Sequence, residues 1–461
     1  MGGLLARLTL WKSLVVIGLF LNLVVNIENP QLLFKRRGQS QPSSIVNDNH
    51  SSNRTNLSHI AFGMIGSVKT WPQRRGYLEA WWRPNKTRGY VFLDEAPPPE
   101  LLPWPSTAPP YRVADDLSGL FRAITDPRVA QMVHGILELV REEGDGVRWV
   151  VMGDDDTVVF LDNIVDVLAD LDHNKYYYLG WHSETMMSNY WLSFEQAFGG
   201  GGTVMSYPLA RAVAADMDGC LARYADGYWS DLITMRCIAD VGVNLTPHKG
   251  LHQVDLLGDF SGYLSAHPKV HLVTLHHFCT MDPLFPSMDR IQSTRHLFKA
   301  GDVDQSRLLQ QTICYHKKTN WSVSISWGYS AQIYEGIMPR SYLQIPIETF
   351  TPLAKGRGPP FYMFNTRPRS EDPCEKPHFF FLQSVSNASP QILTTYTRAT
   401  PRGLPPCNHS VSADSITTIQ VTSPPIKRIQ IDRCECCDIV RMDRVKLEVG
   451  FRECNIDEII A

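Results

Sequence analysis

Short apolar runs alternate with amphipathic segments along the chain from about residue 58 to residue 290. The apolar runs predict strands, because each is short and is bounded by glycine or polar residues; they cover residues 59–67, 89–94, 149–152 and 176–180. Between them, apolar residues recur at helical spacing, as at Val129, Val133, Ile136 and Val140. Strands that alternate with helices predict an α/β fold with a mostly parallel sheet.

The pattern changes beyond about residue 290. Residues 322–327 and 445–449 alternate polar and apolar side chains with a period of two, and prolines and glycines interrupt the rest. This pattern predicts a β-rich, cysteine-containing C-terminal region over residues 291–461.

The N-terminus carries an apolar segment from about Leu8 to Ile27, interrupted by Lys12. If Lys12 snorkels, this segment reaches the roughly 20 residues that a membrane-spanning helix needs. A cleaved signal peptide is the alternative, although no small-x-small cleavage site follows the segment. We therefore predict a cytoplasmic tail and signal-anchor helix in residues 1–28, followed by a flexible polar stem in residues 29–57.

Glycosylation acceptors indicate which side of the membrane the body of the protein occupies. Asn-x-Ser/Thr sequences occur at Asn49, Asn53, Asn56, Asn85, Asn244, Asn320, Asn387 and Asn408. Three of them fall between residues 49 and 56, which favours a lumenal stem. The sequence thus predicts a single-pass type II membrane protein with its body in the lumen.

Composition agrees with this placement. The 461-residue chain favours more than one domain, and a net charge of −3 without a basic stripe gives no indication of nucleic-acid binding. Ten cysteines in an oxidising lumen favour disulfides, and Cys220 and Cys237 could staple the segment between them. Zinc is the alternative, but no CxxC motif has a matching second pair.

The strongest chemical signal is a run of three carboxylates, Asp154-Asp155-Asp156, directly after a predicted strand. Adjacent carboxylates repel one another and need a cation, hydrogen-bond donors or open water. Oxygen-binding ions such as Mn²⁺ or Mg²⁺ take carboxylate ligands and neutralise a diphosphate. A solvated turn is the alternative, but ligands of α/β sheets bind at the carboxyl ends of strands, where this run lies.

Three further segments could contribute to a site. The loop 199–202 consists of four glycines, which let a substrate approach the backbone; a hinge is the alternative, and no Lys-Ser/Thr follows as in a phosphate-binding loop. Asp231, at a predicted helix start, is a candidate general base or a partner of the helix dipole. His276 and His277 end a predicted strand, and either could be a metal ligand or a neutral hydrogen-bonded side chain.

These segments in this order resemble the Fringe-like branch of the inverting β1,3-glycosyltransferases, closest to its plant Fringe-related group. The resemblance covers residues 58–290 and rests on HIAFGMIGSVKTW, EAWWRP, RWVVMGDDDTVVF, YYYLGWHSE, AFGGGGTVMS, WSDLITMRC and TLHHFCTMDPLFP. It implies a GT-A-type nucleotide-sugar-binding domain, a UDP-sugar donor, Mn²⁺ or Mg²⁺, and a Golgi location. The activity implied is that of a metal-dependent inverting hexosyltransferase, with a glycan or glycoprotein as acceptor.

The resemblance also implies roles for individual residues. Asp156 and His276 match the metal ligands, with His277 as the alternative to His276. Asp154, and Asp155 with it, match the contacts to the nucleotide-sugar, and Asp231 matches the catalytic base.

The remaining site residues implied are Gly200 and Gly201, in the loop beside donor and acceptor. Two departures from the family pattern stand out: Ser230-Asp231 replaces a pair of acidic residues, and the two late histidines are adjacent rather than in a His-x-His arrangement.

Two other functions are alternatives to sugar transfer. A catalytically inactive, lumenal carbohydrate-binding or scaffold protein is the main alternative, and a metal-dependent phosphotransferase or hydrolase is another. The donor could be UDP-galactose, UDP-N-acetylglucosamine or UDP-glucuronate, and the sequence does not distinguish among them.

Overall fold

The apolar runs of the N-terminal half form the strands of a central sheet. The computed structural model describes residues 54–117, 127–408, 411–428 and 433–460. The first eleven strands are β1 (Ile60–Gly66), β2 (Arg88–Leu93), β3 (Tyr111–Val113), β4 (Trp149–Asp154), β5 (Val158–Val159), β6 (Tyr178–Gly180), β7 (Thr203–Ser206), β8 (Leu245–Pro247), β9 (Leu251–His252), β10 (Leu256–Gly258) and β11 (Thr274–Leu275).

Parallel pairing dominates the central sheet, whose order is β3-β2-β1-β4-β7-β6-β8. Strand β1 pairs in parallel with β2 and β4, as do β2 with β3 and β6 with β8. Strand β7 is antiparallel to both of its neighbours, β4 and β6. The mostly parallel α/β fold predicted from the sequence is confirmed.

Helices cover the sheet and connect its strands. They are α1 (Trp71–Trp81), α2 (Pro127–Glu142), α3 (Leu161–Ala169), α4 (Met186–Trp191), α5 (Tyr207–Ala215), α6 (Met217–Arg223), α7 (Ser230–Asp240), α8 (Ser261–Ala266), α9 (Arg290–Gly301) and α10 (Arg340–Leu343). Helix α2 begins at a proline, whose missing N–H is not needed in a first turn. Its apolar stripe, including Val133, Ile136 and Leu139, is buried in one cluster with Met205 of β7.

A second large sheet forms the C-terminal region, as predicted. Its strands are β12 (Gln311–His316), β13 (Trp321–Ser326), β14 (Ser330–Tyr334), β16 (His378–Ala388), β17 (Gln391–Arg398), β18 (Thr418–Ser423), β19 (Cys436–Met442) and β20 (Lys446–Arg452), and β15 (Phe350–Pro352) pairs with β10 instead. The order is β12-β13-β14-β16-β17-β18-β20-β19. A disulfide between Cys314 of β12 and Cys437 of β19 ties its two edge strands together.

The period-two pattern of β13 has an unexpected outcome. Alternation predicts one solvated face, but all six residues of the strand are buried. Its serines satisfy their hydroxyls internally: Ser322 Oγ donates to the Gly336 carbonyl at 2.7 Å and Ser326 Oγ to the Leu264 carbonyl at 2.8 Å. Small hydroxyl side chains can therefore line a buried face, because each finds a carbonyl partner.

Cysteine pairing is confirmed within the described residues. Four disulfides are formed, Cys220–Cys237, Cys314–Cys437, Cys374–Cys407 and Cys436–Cys454. The first joins α6 to α7 and so fixes the helix that carries Asp231. Cys279 and Cys434 are free thiols.

Several predictions concern the N-terminus. The signal anchor and almost all of the stem lie outside the described residues. Within the described part of the chain, no helix combines the length and the apolar character that a membrane crossing requires. Residues Thr55–Ala461 form one compact unit, and a single hydrophobic cluster contains both Ile60 and Phe451. The domain boundary near residue 290 stays a prediction.

Candidate active site

Two carboxylates of the aspartate run meet a histidine at the carboxyl end of β4. Asp154 is the last residue of that strand, and Asp155 and Asp156 form the turn after it. His276, which follows β11, places its Nε2 atom 3.4 Å from Asp154 Oδ2 and 3.3 Å from Asp156 Oδ1. One donor atom from each of the three lies within 4.8 Å of the others, which is a spacing that could hold a metal ion.

The polar atoms of this cluster are not fully satisfied by the protein. Asp156 is 1% exposed, and its Oδ2 atom has no hydrogen-bond partner among the described residues. His276 Nδ1 is likewise buried without a partner. Burial of such atoms without compensation is unfavourable, so the cluster has unused capacity to bind a ligand or ion.

Asp155 has a different role from its two neighbours. Its side chain is bound by Arg74 of α1, whose Nη1 lies 2.7 Å from Asp155 Oδ1, and by the hydroxyl of Thr70 at 3.2 Å. The same Arg74 atom lies 3.3 Å from Asp156 Oδ1. Burial raises the pKa of Asp155 to about 6, although Arg74 opposes the shift. Asp155 therefore faces α1 and is not part of the Asp154–Asp156–His276 cluster.

In this cluster the opposite charges together outweigh burial in setting the pKa values of Asp156 and His276. Burial disfavours the charged form of both Asp156 and His276, but His276 and Arg74 hold the pKa of Asp156 well below its usual range. In return, the carboxylates of Asp156 and Asp154 overcome burial and raise the pKa of His276 to about 10. The metal-free cluster therefore holds a proton on His276 at neutral pH, and an ion that binds this ring must displace it.

The glycine loop packs directly against the cluster. Gly199–Gly201 form a single 3₁₀ turn before β7. The hydroxyl of Thr157 accepts from the Asp154 N–H at 2.9 Å and donates to the Gly200 carbonyl at 2.7 Å, so it joins the aspartate turn to the loop. Gly201 N donates to Gln253 Oε1 at 2.6 Å.

Asp231 lies on the other side of the same loop. Helix α7 begins at Ser230 after Trp229 in the N-cap position, and Asp231 Oδ1 in its first turn accepts from Gly199 N at 3.0 Å. Asp231 and Asp154 line one cleft together with Gly199 and with apolar side chains such as Met152. The cleft has a volume of about 370 Å³ including its open mouth. Burial, followed by the charge of Asp154, raises the pKa of Asp231 to about 7.

His277 points away from the cluster. Its Nδ1 atom lies 3.0 Å from Asp255 Oδ1, and its backbone has a φ of 62°, an uncommon conformation for a residue other than glycine. Asp255 also accepts from the Ser183 hydroxyl at 2.6 Å. His276 rather than His277 therefore shares the space between Asp154 and Asp156.

Sequence reasoning missed Arg74, Gln253 and Asp255 as parts of this site. Each comes from a segment without a recognisable metal or catalytic pattern, and only tertiary contacts bring it to the cluster. Only a cation such as Arg74 could have been anticipated, because a run of three carboxylates beside a buried strand requires a cationic partner.

Substitution of Gly200 tests how tightly the loop and the cluster are packed. A Cβ atom at Gly200 would lie 2.1 Å from His276 Cε1 and 2.3 Å from its Nδ1. We expect Gly200→Ala to displace the imidazole and to weaken Mn²⁺ binding at least about 10-fold, which calorimetry would measure.

Gly144→Ala is the matched control, because its Cβ would meet only Tyr207 Oη at an ordinary 3.7 Å. Equal Mn²⁺ affinities of the two variants would contradict the close packing of His276 on the loop.

A model of the family described as "Protein of unknown function, DUF604" matches residues 188–437, more than half of the chain. No curated protein matches. Among solved structures, the catalytic domain of Drosophila beta1,4galactosyltransferase 7 in complex with xylobiose is 12% identical and covers 41% of this chain. The match spans 64% of that chain, which is less than two thirds, and its TM-score of 0.20 is too low to establish a shared fold.

Proposed function

Because the chain belongs to the DUF604 family, whose description names no activity, we propose a function from the site itself. The protein is a metal-dependent inverting glycosyltransferase that moves a sugar from a UDP-sugar to an acceptor hydroxyl. The observation that carries the proposal is the pairing of an Asp154–Asp156–His276 cluster with a separate carboxyl group, Asp231, in the cleft that Asp154 lines.

The residues of the cluster fit a divalent ion. Ligands at about 2.1 Å from one ion lie about 3 Å apart in octahedral geometry, close to the 3.3 and 3.4 Å between His276 Nε2 and the two carboxylates. A carboxylate and an imidazole with a second carboxylate beside them suit Mn²⁺, and Mg²⁺ is the alternative. When bound there, the ion would neutralise the negative charge of the diphosphate leaving group.

The loop Gly199–Gly202 gives the donor a close approach to the backbone. Gly200 and Gly201 are buried, and a Cβ atom would meet the His276 ring at Gly200 and the Gln253 backbone at Gly201, so only residues without a side chain let the loop pack this closely on the cluster. In our proposal Asp156 and His276 hold the ion, Asp154 contacts the nucleotide side of the donor, and Asp155 holds Arg74 in place.

Asp231 supplies the base. A general base works best when its pKa is near the operating pH, and burial raises that of Asp231 to about 7. Its carboxylate takes the proton of the acceptor hydroxyl as the hydroxyl oxygen forms a bond to the anomeric carbon. The bond from that carbon to the diphosphate breaks, and UDP leaves with its electron pair. A single displacement of this kind inverts the anomeric configuration.

Exposed aromatic side chains support a carbohydrate acceptor. Tyr228 is 70% exposed and Trp229 is 59% exposed, directly before the helix that begins with Ser230 and Asp231. Large amphipathic rings on a surface are favourable contact sites for a partner that is apolar on one face and polar at its edges, as a sugar ring is. We propose that the acceptor is a glycan or glycoprotein and that the linkage is β1,3, as in the Fringe-like branch.

The proposed setting follows from the sequence. A type II protein anchored in the Golgi membrane by residues 1–28, with its body in the lumen, would meet UDP-sugars and oxidising conditions that suit its disulfides. An inactive scaffold with the same fold is not favoured, since the cluster and Asp231 are both intact.

A panel of UDP-sugars tests the proposal. We expect the purified protein to hydrolyse one UDP-sugar slowly in the presence of Mn²⁺ and not after chelation, since water can replace the acceptor. Release of UDP would be measured for UDP-galactose, UDP-N-acetylglucosamine and UDP-glucuronate. If no UDP-sugar bound or reacted with Mn²⁺ present, the proposed function would be wrong.

A further inference from the structure

Four positively charged side chains line a cavity outside the proposed active site. They are Lys269 before β11, Arg340 at the start of α10, and Arg428 and Arg433 between β18 and β19. The cavity has a volume of about 610 Å³ including its open mouth, and none of the residues lining it also lines the cleft of the proposed active site. Among the described residues, its lining contains no acidic side chain.

The described part of the protein does not neutralise these four charges. None of the four side chains forms an ion pair within the described residues. Three of them bond neutral carbonyls: Arg428 Nη2 donates to that of Arg433 at 2.7 Å, Arg433 Nη1 to that of Asn455 at 2.7 Å, and Lys269 Nζ to that of Gln344 at 2.9 Å. A carbonyl orients a cation without cancelling its charge, so the cavity favours an anion.

Acidic side chains on the same C-terminal segment have other partners. Glu435 pairs with Arg307 at 2.8 Å, and Glu458 pairs with Arg452 at 2.7 Å. Asp432 lies outside the described residues. The argument below therefore relies on the two cations from other segments, at positions 269 and 340.

These two cations act on each other and lack a counter-charge. The pKa of Lys269 is lowered to about 8, first by the protein atoms around its ammonium group and then by the charge of Arg340, although the side chain itself is exposed. Arg340 is half-buried, and its Nη1 atom has no hydrogen-bond partner among the described residues. Gln311 Oε1, in the same lining, is also buried without one. Unsatisfied polar atoms in a cavity wall indicate unused capacity for a polar ligand.

The cavity adjoins a larger one that contains aromatic rings. Lys269 and Gln344 line both, and the second cavity has a volume of about 990 Å³ including its open mouth. Trp181 and Phe364 belong to its lining. The rings of such side chains are favourable contacts for a partner that is apolar on one face, as a sugar ring is. Cations next to rings therefore suit a ligand that combines negative charge with sugar units.

A carboxylate fits this lining better than a phosphate. Phosphate sites commonly use backbone N–H groups of glycine-rich turns and helix N-termini, and no described residue lining either cavity is a glycine. Guanidinium groups bind carboxylates through two parallel hydrogen bonds. The side-chain amides of Gln310 and Gln344, in the same lining, can bond sugar hydroxyls.

We propose that the two adjoining cavities bind an acidic oligosaccharide, with uronate carboxylates on Lys269 and Arg340 and sugar rings against Trp181 and Phe364. Arg428 and Arg433 add to the positive field of the site. The inference does not rest on the proposed transferase function, because this binding needs neither a donor nor the Asp154–Asp156–His276 cluster.

Calorimetric titration without divalent ions tests the inference. We expect the full chain to bind short galacturonate oligomers, and to bind the same oligomers at least about 10-fold more weakly after methyl esterification removes their charge. Arg340→Gln should weaken binding of the acidic oligomer by a similar factor, and its fold should survive because it removes an unsatisfied donor. Arg444→Gln is the matched control, since Arg444 is an exposed arginine in the turn between β19 and β20.

Two free thiols locate the bound oligomer. Cys434 lines the cationic cavity, whereas Cys279 lies beside Arg74 at the proposed active site. The acidic oligomer should slow alkylation of Cys434 and leave that of Cys279 unchanged, which peptide mass spectrometry would measure. Lys269→Gln, at an exposed side chain, repeats the binding test if Arg340→Gln does not fold.

Four results would overturn the inference. They are no binding of the acidic oligomer, equal binding of the esterified one, normal binding by the variants at positions 340 and 269, and protection of Cys279 in place of Cys434. Tighter binding of inorganic phosphate or UDP than of the oligomer, with protection of Cys434, would likewise exclude an acidic oligosaccharide as the ligand.

Discussion

Asp231→Asn should reduce sugar transfer by about 10²–10⁴-fold, the contribution typical of a general base, while UDP and Mn²⁺ still bind. The amide keeps an oxygen that can accept from Gly199 N, as Asp231 Oδ1 does at 3.0 Å. The fold of the loop should therefore survive, and the variant should lose only the group that takes the proton. Initial rates of transfer and calorimetric titration of UDP with Mn²⁺ would separate the two properties.

The pH dependence of the reaction provides a second test of Asp231 as the base. The carboxyl group must be ionised to act as a base, and its pKa is raised to about 7, first by burial and then by the charge of Asp154. The value of kcat/KM should therefore rise with pH up to about 7 and level off above it. An ion beside Asp154 would offset part of that charge and move the midpoint lower.

Asp218→Asn is the matched control for charge, because Asp218 is an exposed carboxylate on the neighbouring helix α6. That variant should keep both the rate and the acidic limb of the profile. Asp231→Asn with near-normal transfer, or with an unchanged acidic limb, would remove Asp231 from the mechanism.

Local pattern predicted several strands of the central sheet because each is a short apolar run bounded by glycine or polar residues. Strands β1, β2 and β4 were all visible in this way. The polar–apolar pattern failed where the hydrogen-bond partners of polar side chains are distant in sequence. The serines of β13 read as a solvated face, yet they are buried because carbonyls such as that of Leu264 accept from them.

The positions at which helices begin also cannot be predicted from local residue preferences alone. Asp and Ser are preferred N-cap residues, but Asp162 lies inside α3, which begins at Leu161, and pairs with Arg83 at 2.7 Å. Ser230 is the first residue of α7, and Trp229 occupies the N-cap position. Capping preferences are worth only about 1 kcal/mol, so a competing ion pair or a tertiary hydrogen bond can override them.

The sequence predicted those residues of the candidate site whose own side-chain chemistry is distinctive. Asp154, Asp156, His276 and Asp231 were chosen for their chemistry, and the structure brings them to one loop. The residues that orient them were not predictable. Arg74 lies 81 positions from Asp155 along the chain, and Gln253 lies 52 positions from Gly201. Contacts over such separations depend on topology, which periodicity does not encode.

Asp156→Asn should abolish the metal site, with a loss of Mn²⁺ affinity beyond about 100-fold, since even residues behind metal ligands contribute 10–100-fold. UDP binding that depends on Mn²⁺ should disappear with it. Calorimetry with and without the ion would measure both losses. The control is Asp162→Asn, because that carboxylate is half-exposed and pairs with Arg83 at the surface. Normal Mn²⁺ and UDP binding by Asp156→Asn would contradict the assignment.

The same variant should also be less stable without metal. The pKa of Asp156 is held low by His276 and Arg74, so its stabilising effect is present above the unfolded pKa of about 3.9 and is lost as pH falls. Asn at neutral pH leaves protonated His276 with a single weaker partner, which should lower the free energy of unfolding by about 3–5 kcal/mol, as when a buried ion pair is broken. Asp162→Asn should cost no more than about 1 kcal/mol.

Adding His276→Gln to Asp156→Asn should restore much of the loss, because the unpaired cation is then gone. Denaturation of the metal-free proteins at pH 7 would measure this coupling, and additive effects of the two substitutions would show that Asp156 and His276 do not form a pair.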